Sequence, residues 1–129
     1  LDIVVDCCER GFVWISVTKA GYFVACLEWL TFVAIHNLGP EWKQKIGQQN
    51  PVVRSVSKQN FQSPLGVYVM NCLYMLPLTL YMGSHGVLNP RSAFFWLAVA
   101  VTSVGRLLAM ITELSILKVH AESLLKKTE

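Results

Sequence analysis

The chain has 129 residues, of which 53% are hydrophobic and 15% are charged, and it carries a formal net charge of +3. An ordinary soluble domain has about 25% charged residues, so the composition argues against a water-soluble fold. The length allows a single domain, residues 1–129, and so small a net charge gives no reason to expect nucleic acid as a partner.

Three apolar stretches dominate the chain, at residues 12–38, 65–82 and 93–117. A helix of about 20 apolar residues crosses roughly 30 Å of hydrocarbon, and each stretch approaches or exceeds that length. The second stretch contains no charged residue, so it has no side suited to water. We therefore predict an all-α integral membrane protein with three transmembrane helices at these positions.

Local signals mark the ends of these spans. The first ends before Gly39-Pro40, because Gly accommodates a C-terminal cap and Pro cannot continue the helix. Pro64 begins the second span, and Ser92 is suited to cap the third. The polar loop between the first two spans, residues 39–64, is long and rich in Gln, Asn, Ser and Lys. Two interpretations stay open: Trp42 and Ile46 anchor a short interfacial helix in it, or it lies extended against a partner protein.

A short connection joins the second and third spans at residues 83–92, which include Gly83, Gly86 and Pro90. So short a connection predicts an antiparallel hairpin of the two spans. The third span continues as a helical extension, residues 118–127, which is longer than the membrane requires. We expect this extension to project into the inside compartment.

The distribution of basic residues predicts the orientation. Seven of them lie in the loop or after the third span: Lys43, Lys45, Arg54, Lys58, Lys118, Lys126 and Lys127. Arg10 and Arg91 would lie on the opposite side. The positive-inside rule then places the N-terminus outside and the C-terminus inside, which are the intermembrane space and the matrix if the membrane is the mitochondrial inner membrane. The chain begins with Leu and not Met, and either a removed presequence or simple disorder upstream fits that start.

Four charged residues interrupt the first and third spans: Lys19, Glu28, Arg106 and Glu113. A charge at the middle of the bilayer costs roughly 2.5–3.5 kcal/mol, and such residues usually face protein and form pairs. If the outer ends of the two spans are aligned, Glu28 lies about 24 Å and Arg106 about 20 Å along their helices at 1.5 Å per residue. We therefore predict an intramembrane ion pair between Glu28 and Arg106, joined by Glu113, which lies on the same helix face as Arg106.

Lys19 lies about 180° around the predicted helix from Glu28, so the two cannot pair. We expect Lys19 to reach outwards or to contact a partner, together with Trp42, Lys43 and Lys45 of the loop. Small residues four apart, Gly21 with Ala25 in the first span and Gly105 with Ala109 in the third, favour close contact between these two spans.

Two histidines, His36 and His120, fall near the inner ends of the first and third spans and are possible ligands of a haem b. The four cysteines show no spacing typical of a metal site, and no motif of a catalytic centre is present. We expect lipids, and no metal or other cofactor, to accompany the chain.

These patterns favour a non-catalytic accessory subunit of a larger membrane complex, with phospholipids and other membrane subunits as partners. Small chains of this kind are commonly respiratory subunits of the mitochondrial inner membrane, so we expect that setting. Two alternatives stay open. One is a small ion- or proton-coupled transporter that uses the buried charges, and the other is a haem-binding membrane anchor.

Overall fold

The computed structural model describes residues 2–48 and 50–128, and the regular secondary structure of this part of the chain is helical, without a β-strand. The helices are α1 (Asp2–Val17), α2 (Gly21–Leu38), α3 (Trp42–Gly47), α4 (Pro51–Ser57), a 3₁₀ turn (Lys58–Phe61), α5 (Pro64–Ser84) and α6 (Ala93–Thr128). Of these, α2, α5 and α6 are long and apolar enough to cross a membrane. The predicted all-α class and its three membrane-length helices are confirmed.

Capping residues explain where several helices begin and end. Ser63 Oγ accepts a hydrogen bond from Gly66 N at 3.1 Å, and Pro64 occupies the first turn of α5. Ser92 Oγ accepts from Phe95 N at 3.2 Å at the start of α6, as its position in the sequence favours. Gly39 follows α2 with a φ of 75°, a backbone conformation that glycine adopts without strain.

The region of the predicted first span differs most from expectation, because residues 12–38 belong to two helices. The chain turns at residues 18–20, and α1 then packs antiparallel to α2. Gly11 faces Ala25, and Gly21 lies so close to α1 that a Cβ at this position would overlap the backbone carbonyl of Trp14. This hairpin brings Asp2 and Leu38 to the same end of the molecule.

The contacts of α5 and α6 involve other small residues. Gly105 lies against Cys72, and a Cβ on Gly83 would overlap the ring of Phe95. Tyr68 Oη donates a hydrogen bond to the carbonyl of Val101. Small residues therefore allow close approach in both places, but Gly21 approaches α1 and Gly105 approaches α5. The predicted contact between α2 and α6 is also present.

The loop after α2 is folded and not extended, and it contains a short helix, α3, at the position of Trp42 and Ile46. Its apolar side chains Ile46, Val53 and Val56 are almost completely buried. Ile46 and Val53 join a cluster with Ala34, Leu38, Ile116 and Val119 from α2 and α6. The short helices α3 and α4 thus cover one end of the bundle, because each turns its few apolar residues inwards.

Four helices form the body of the molecule. α1 contacts α2 and α5, and α6 also contacts α2 and α5, so the four helices surround a common interior. Large apolar side chains cover much of the outside, among them Phe12, Phe23, Leu30, Phe94 and Trp96. A surface of this kind suits lipid or another protein and not water.

Candidate functional site

A network of four alternating charges crosses the interior of the bundle. Arg10 Nε donates to Glu28 Oε2 at 2.9 Å, and Glu28 Oε1 lies 3.5 Å from Arg106 Nη2. Arg106 in turn forms a bidentate pair with Glu113, with Nη1–Oε1 and Nη2–Oε2 distances of 2.9 and 3.1 Å. Two guanidinium groups and two carboxylates balance one another, so the network carries no net charge.

Burial makes this pairing necessary. Glu28 is 5% and Arg106 is 3% exposed, and an unpaired charge removed from water to this degree is strongly destabilising. The planar guanidinium groups match the carboxylates in geometry, which a lysine would not. The network therefore fixes the position of α6 relative to α2 and of α2 relative to α1.

Arg10 is the member that the sequence did not reveal. Arg10 precedes the predicted first span, so the sequence placed it at the outer surface of the membrane and not among the buried charges. The hairpin of α1 and α2 instead places its guanidinium beside Glu28, and 4.8 Å from the centre of the Tyr74 ring on α5. The sequence contained one signal of this position. Residues spaced three and four apart lie on one face of a helix, and Cys7, Arg10, Gly11 and Trp14 have this spacing. Three of them, Cys7, Gly11 and Trp14, are buried, so this is the inward face of α1.

Glu28 and Arg106 meet, but the outer ends of their helices are not aligned as the prediction assumed. Since α2 begins at Gly21, Glu28 lies only about 10 Å from the start of its helix, whereas Arg106 lies about 20 Å from the start of α6. The N-terminal end of α2 is thus displaced along the bundle axis towards the loop. Arg106 and Glu113 meet because two turns of one helix return them to the same face.

A partly open cavity of about 520 Å³ lies between the four-helix body and the loop, on the side of the network that faces the loop. Most of its wall is apolar, and Phe32, Leu73, Ala109 and Ile116 contribute to it. Its polar lining comprises Asp6, Arg10, Glu28, Thr31, His36, Lys43, Tyr74, Thr112 and Glu113. Its volume falls within the range of about 300–1,000 Å³ that is typical of small-molecule sites.

The residues predicted to contact partners have different environments. Trp42 stacks on Phe61, and Lys43 lies over both rings and donates to Asn60 Oδ1 at 2.7 Å. These side chains hold the loop onto its own chain. Lys45 is exposed on α3, and Lys19 is exposed in the turn between α1 and α2, so they remain accessible to another molecule.

The two predicted haem ligands have different surroundings. His36 lies on the cavity wall, whereas His120, near the middle of the second half of α6, does not. His120 Nδ1 is buried without a hydrogen-bond partner among the described residues. Within residues 2–48 and 50–128 no group of three or more His, Cys, Asp or Glu side chains is arranged to hold a metal ion.

The outward face of α1 has a mixed character. Val5, Glu9, Phe12 and Ser16 follow a helical spacing of three and four residues, and all are exposed. Glu9 precedes Arg10, so its Cα lies about 1.5 Å along the helix axis from that of Arg10, whose side chain joins the network. The same face carries Phe12, which is 74% exposed.

The comparisons with known proteins give no relative. No protein-family model, no curated protein and no solved structure matches this chain.

Proposed function

We propose that this chain is a non-catalytic accessory subunit of a larger membrane protein complex. The balanced network supports a structural role, because Arg10, Glu28, Arg106 and Glu113 answer one another within the chain. Ion pairs of this kind set the register of helices without requiring any reaction. The proposed setting is an energy-converting membrane such as the mitochondrial inner membrane, where small chains with several spans are commonly subunits.

The outward face of α1 supports the presence of a partner protein. Glu9 lies close to the level of Glu28, which is near the middle of α2. Lipid disfavours a carboxylate at that depth, and water disfavours the exposed ring of Phe12. Another protein that offers an apolar surface with a polar group satisfies both side chains.

The folded loop removes one reason for expecting a partner there. Ile46, Val53 and Val56 are buried against the chain's own helices, so this segment does not need another protein to cover its apolar residues. The exposed face of α1 and the exposed Lys19 at the adjacent turn now mark the proposed contact surface.

A crosslinking experiment tests this surface. A photoreactive p-benzoylphenylalanine at Phe12 is expected to form an adduct with a different membrane protein after irradiation of intact membranes. The same replacement at Leu107, an exposed residue of α6, is the matched control and is expected to label lipid. Native-gel sizing after mild-detergent extraction should show one large species that contains the chain. Migration as a small oligomer of this chain alone, with Phe12 adducts only to itself, would contradict the proposal.

We also propose an orientation in the membrane. The contacts of Gly83 with Phe95 and of Gly105 with Cys72 support the predicted antiparallel hairpin of α5 and α6. The basic residues of the loop and the C-terminal end of α6 then lie inside. The α1–α2 hairpin brings the N-terminal end of α1 to that same side, whereas the sequence predicted it outside.

Single cysteines in a chain without its native cysteines test the orientation. In sealed vesicles of known sidedness, a membrane-impermeant maleimide should label Ile3→Cys and Lys45→Cys from one side and Lys19→Cys from the other. A continuous span over residues 12–38 would leave Lys19→Cys unlabelled from both sides and place Ile3→Cys opposite Lys45→Cys.

A second candidate function is ion- or proton-coupled transport, and one observation favours it. Glu28 and Glu113 both line the cavity. Ionisable residues inside a membrane often mark an ion path. Glu28→Gln in reconstituted vesicles should abolish proton or ion flux while assembly stays intact if the chain is a transporter. The matched control is Glu41→Gln, an exposed carboxylate of the loop. No flux in the unaltered protein, or loss of assembly in Glu28→Gln, supports the structural role.

A further inference from the structure

The cavity wall offers one hydrogen-bond acceptor that the chain itself does not use. Glu28 Oε2 accepts from Arg10, but Oε1 is buried and accepts no hydrogen bond from the described residues. Its 3.5 Å separation from Arg106 Nη2 gives electrostatic attraction without the shorter contact of a hydrogen bond. Glu28 is more than nine-tenths buried and lines the cavity.

Three other polar residues of the wall already have partners within the chain. Thr31 Oγ1 donates to the carbonyl of Leu27 at 2.8 Å, and Thr112 Oγ1 donates to that of Leu108 at 3.1 Å. Both carboxylate oxygens of Glu113 accept from Arg106. A molecule in the cavity therefore meets an apolar wall and, at Glu28, an acceptor that lacks a donor.

The balance of charge restricts what the donor can be. The network is neutral, and the two further charges of the wall, Asp6 and Lys43, have opposite signs. A protonated amine would add an uncompensated charge in a region of low dielectric constant, which is costly. A hydroxyl group supplies the missing donor and leaves the balance unchanged.

We infer that this cavity binds a neutral lipophilic alcohol whose hydroxyl donates to Glu28 Oε1. At roughly 30 Å³ for each water-sized group, the cavity accommodates on the order of 15 non-hydrogen atoms. The apolar body of the alcohol contacts the side chains of Phe32, Leu73 and Ile116. This binding requires neither the proposed partner nor transport.

Photolabelling in lipid nanodiscs tests the inference on the full chain. The probe is 1-tetradecanol that carries a diazirine on its alkyl chain, and labelled peptides are identified by mass spectrometry. We expect adducts on cavity-facing positions of α2 and α5, and competition by unlabelled 1-tetradecanol. Tetradecyl methyl ether, which lacks the donor, should compete about 10-fold or more weakly, as expected for a hydrogen bond to a charged group. Tetradecylamine should also compete more weakly than the alcohol.

Two variants separate the cavity from the lipid-facing surface. Ala109→Phe fills part of the cavity and leaves all four charged residues in the chain, and it should reduce labelling of α2 and α5 about 10-fold. The matched control Ala100→Phe lies on the exposed side of the same helix and should label as the unaltered chain does. Equal competition by alcohol and ether, stronger competition by the amine, or labelling confined to exposed positions would each overturn the inference. The ether comparison uses the unaltered chain, so it decides the matter even if Ala109→Phe does not fold.

Discussion

One turn of α6 packs in two different ways on its two sides. Towards α2, Arg106 meets the carboxylate of Glu28. Towards α5, the neighbouring residue Gly105 lies against Cys72. The first interface is held by opposite charges and the second by close approach of helices at small side chains.

The difference shows how two kinds of contact determine one arrangement. A charge network specifies which residue stands opposite which, because a displaced guanidinium leaves a buried carboxylate unpaired. Close packing at glycine instead determines how near two helices approach. The close approach is stabilised by dispersion energy summed over many weak contacts. The charged interface should therefore lose most stability when one charged side chain of the network is removed. The packed interface should lose most stability when a single atom is added to a glycine.

The largest effect is expected at the charged interface. Arg106→Met should lower the free energy of unfolding by about 3–5 kcal/mol, because Glu113 keeps a buried charge without its partner. Denaturation in mixed detergent micelles, followed by circular dichroism, measures the change. The double variant Arg106→Met/Glu113→Gln restores neutrality and should recover at least half of the loss. A double variant no more stable than Arg106→Met would show that charge balance is not what stabilises this interface.

A second substitution tests close packing where the neighbour is backbone. Gly21→Ala places a Cβ against the carbonyl of Trp14, and the backbone of α1 cannot rotate away as a side chain would. We expect a loss of about 3 kcal/mol, at the upper end for an overpacked site. Gly47→Ala is the control, since a Cβ there meets no atom within 4 Å. Equal stability of Gly21→Ala and Gly47→Ala would argue against the α1–α2 hairpin.

Gly105→Ala tests the α5–α6 interface in the same way. The added Cβ overlaps Cys72, and the helices must separate slightly to admit it. A loss of about 1–2 kcal/mol in the free energy of unfolding is expected, smaller than at Gly21 because a side chain and not a peptide group must move. Combining it with Cys72→Gly should return part of the stability. If the double variant Gly105→Ala/Cys72→Gly is no more stable than Gly105→Ala, contact with Cys72 is not the cause of the lost stability.

The smallest effect concerns an ion pair outside both interfaces. Lys118 Nζ lies 3.9 Å from Glu122 Oε1 on the exposed surface of α6. Such (i, i+4) pairs contribute about 0.3–0.5 kcal/mol, so Lys118→Ala should change the free energy of unfolding by no more than that. A loss above 1 kcal/mol would mean that Lys118 contacts something beyond this chain, and comparison before and after extraction from the native membrane would reveal it.

The sequence by itself determined the helical class, the three membrane-length helices, the start of α5 at Pro64 and the cap of α6 at Ser92. These features depend on apolar length and on residues next to one another in the chain, which local physical chemistry governs. The pattern of embedded charges also pointed to Glu28, Arg106 and Glu113, because few arrangements leave a charge tolerable in an apolar interior.

The tertiary structure alone decided the rest. An apolar run has the same composition whether it forms one span or the two sides of a hairpin, so the turn at residues 18–20 and the approach of Gly21 to Trp14 left no distinct local signal. Arg10 reached the network only because that turn reversed the chain. The cavity, in the same way, is a property of the four long helices and the loop packed together: its volume depends on the distances between these elements, which no single segment of sequence determines.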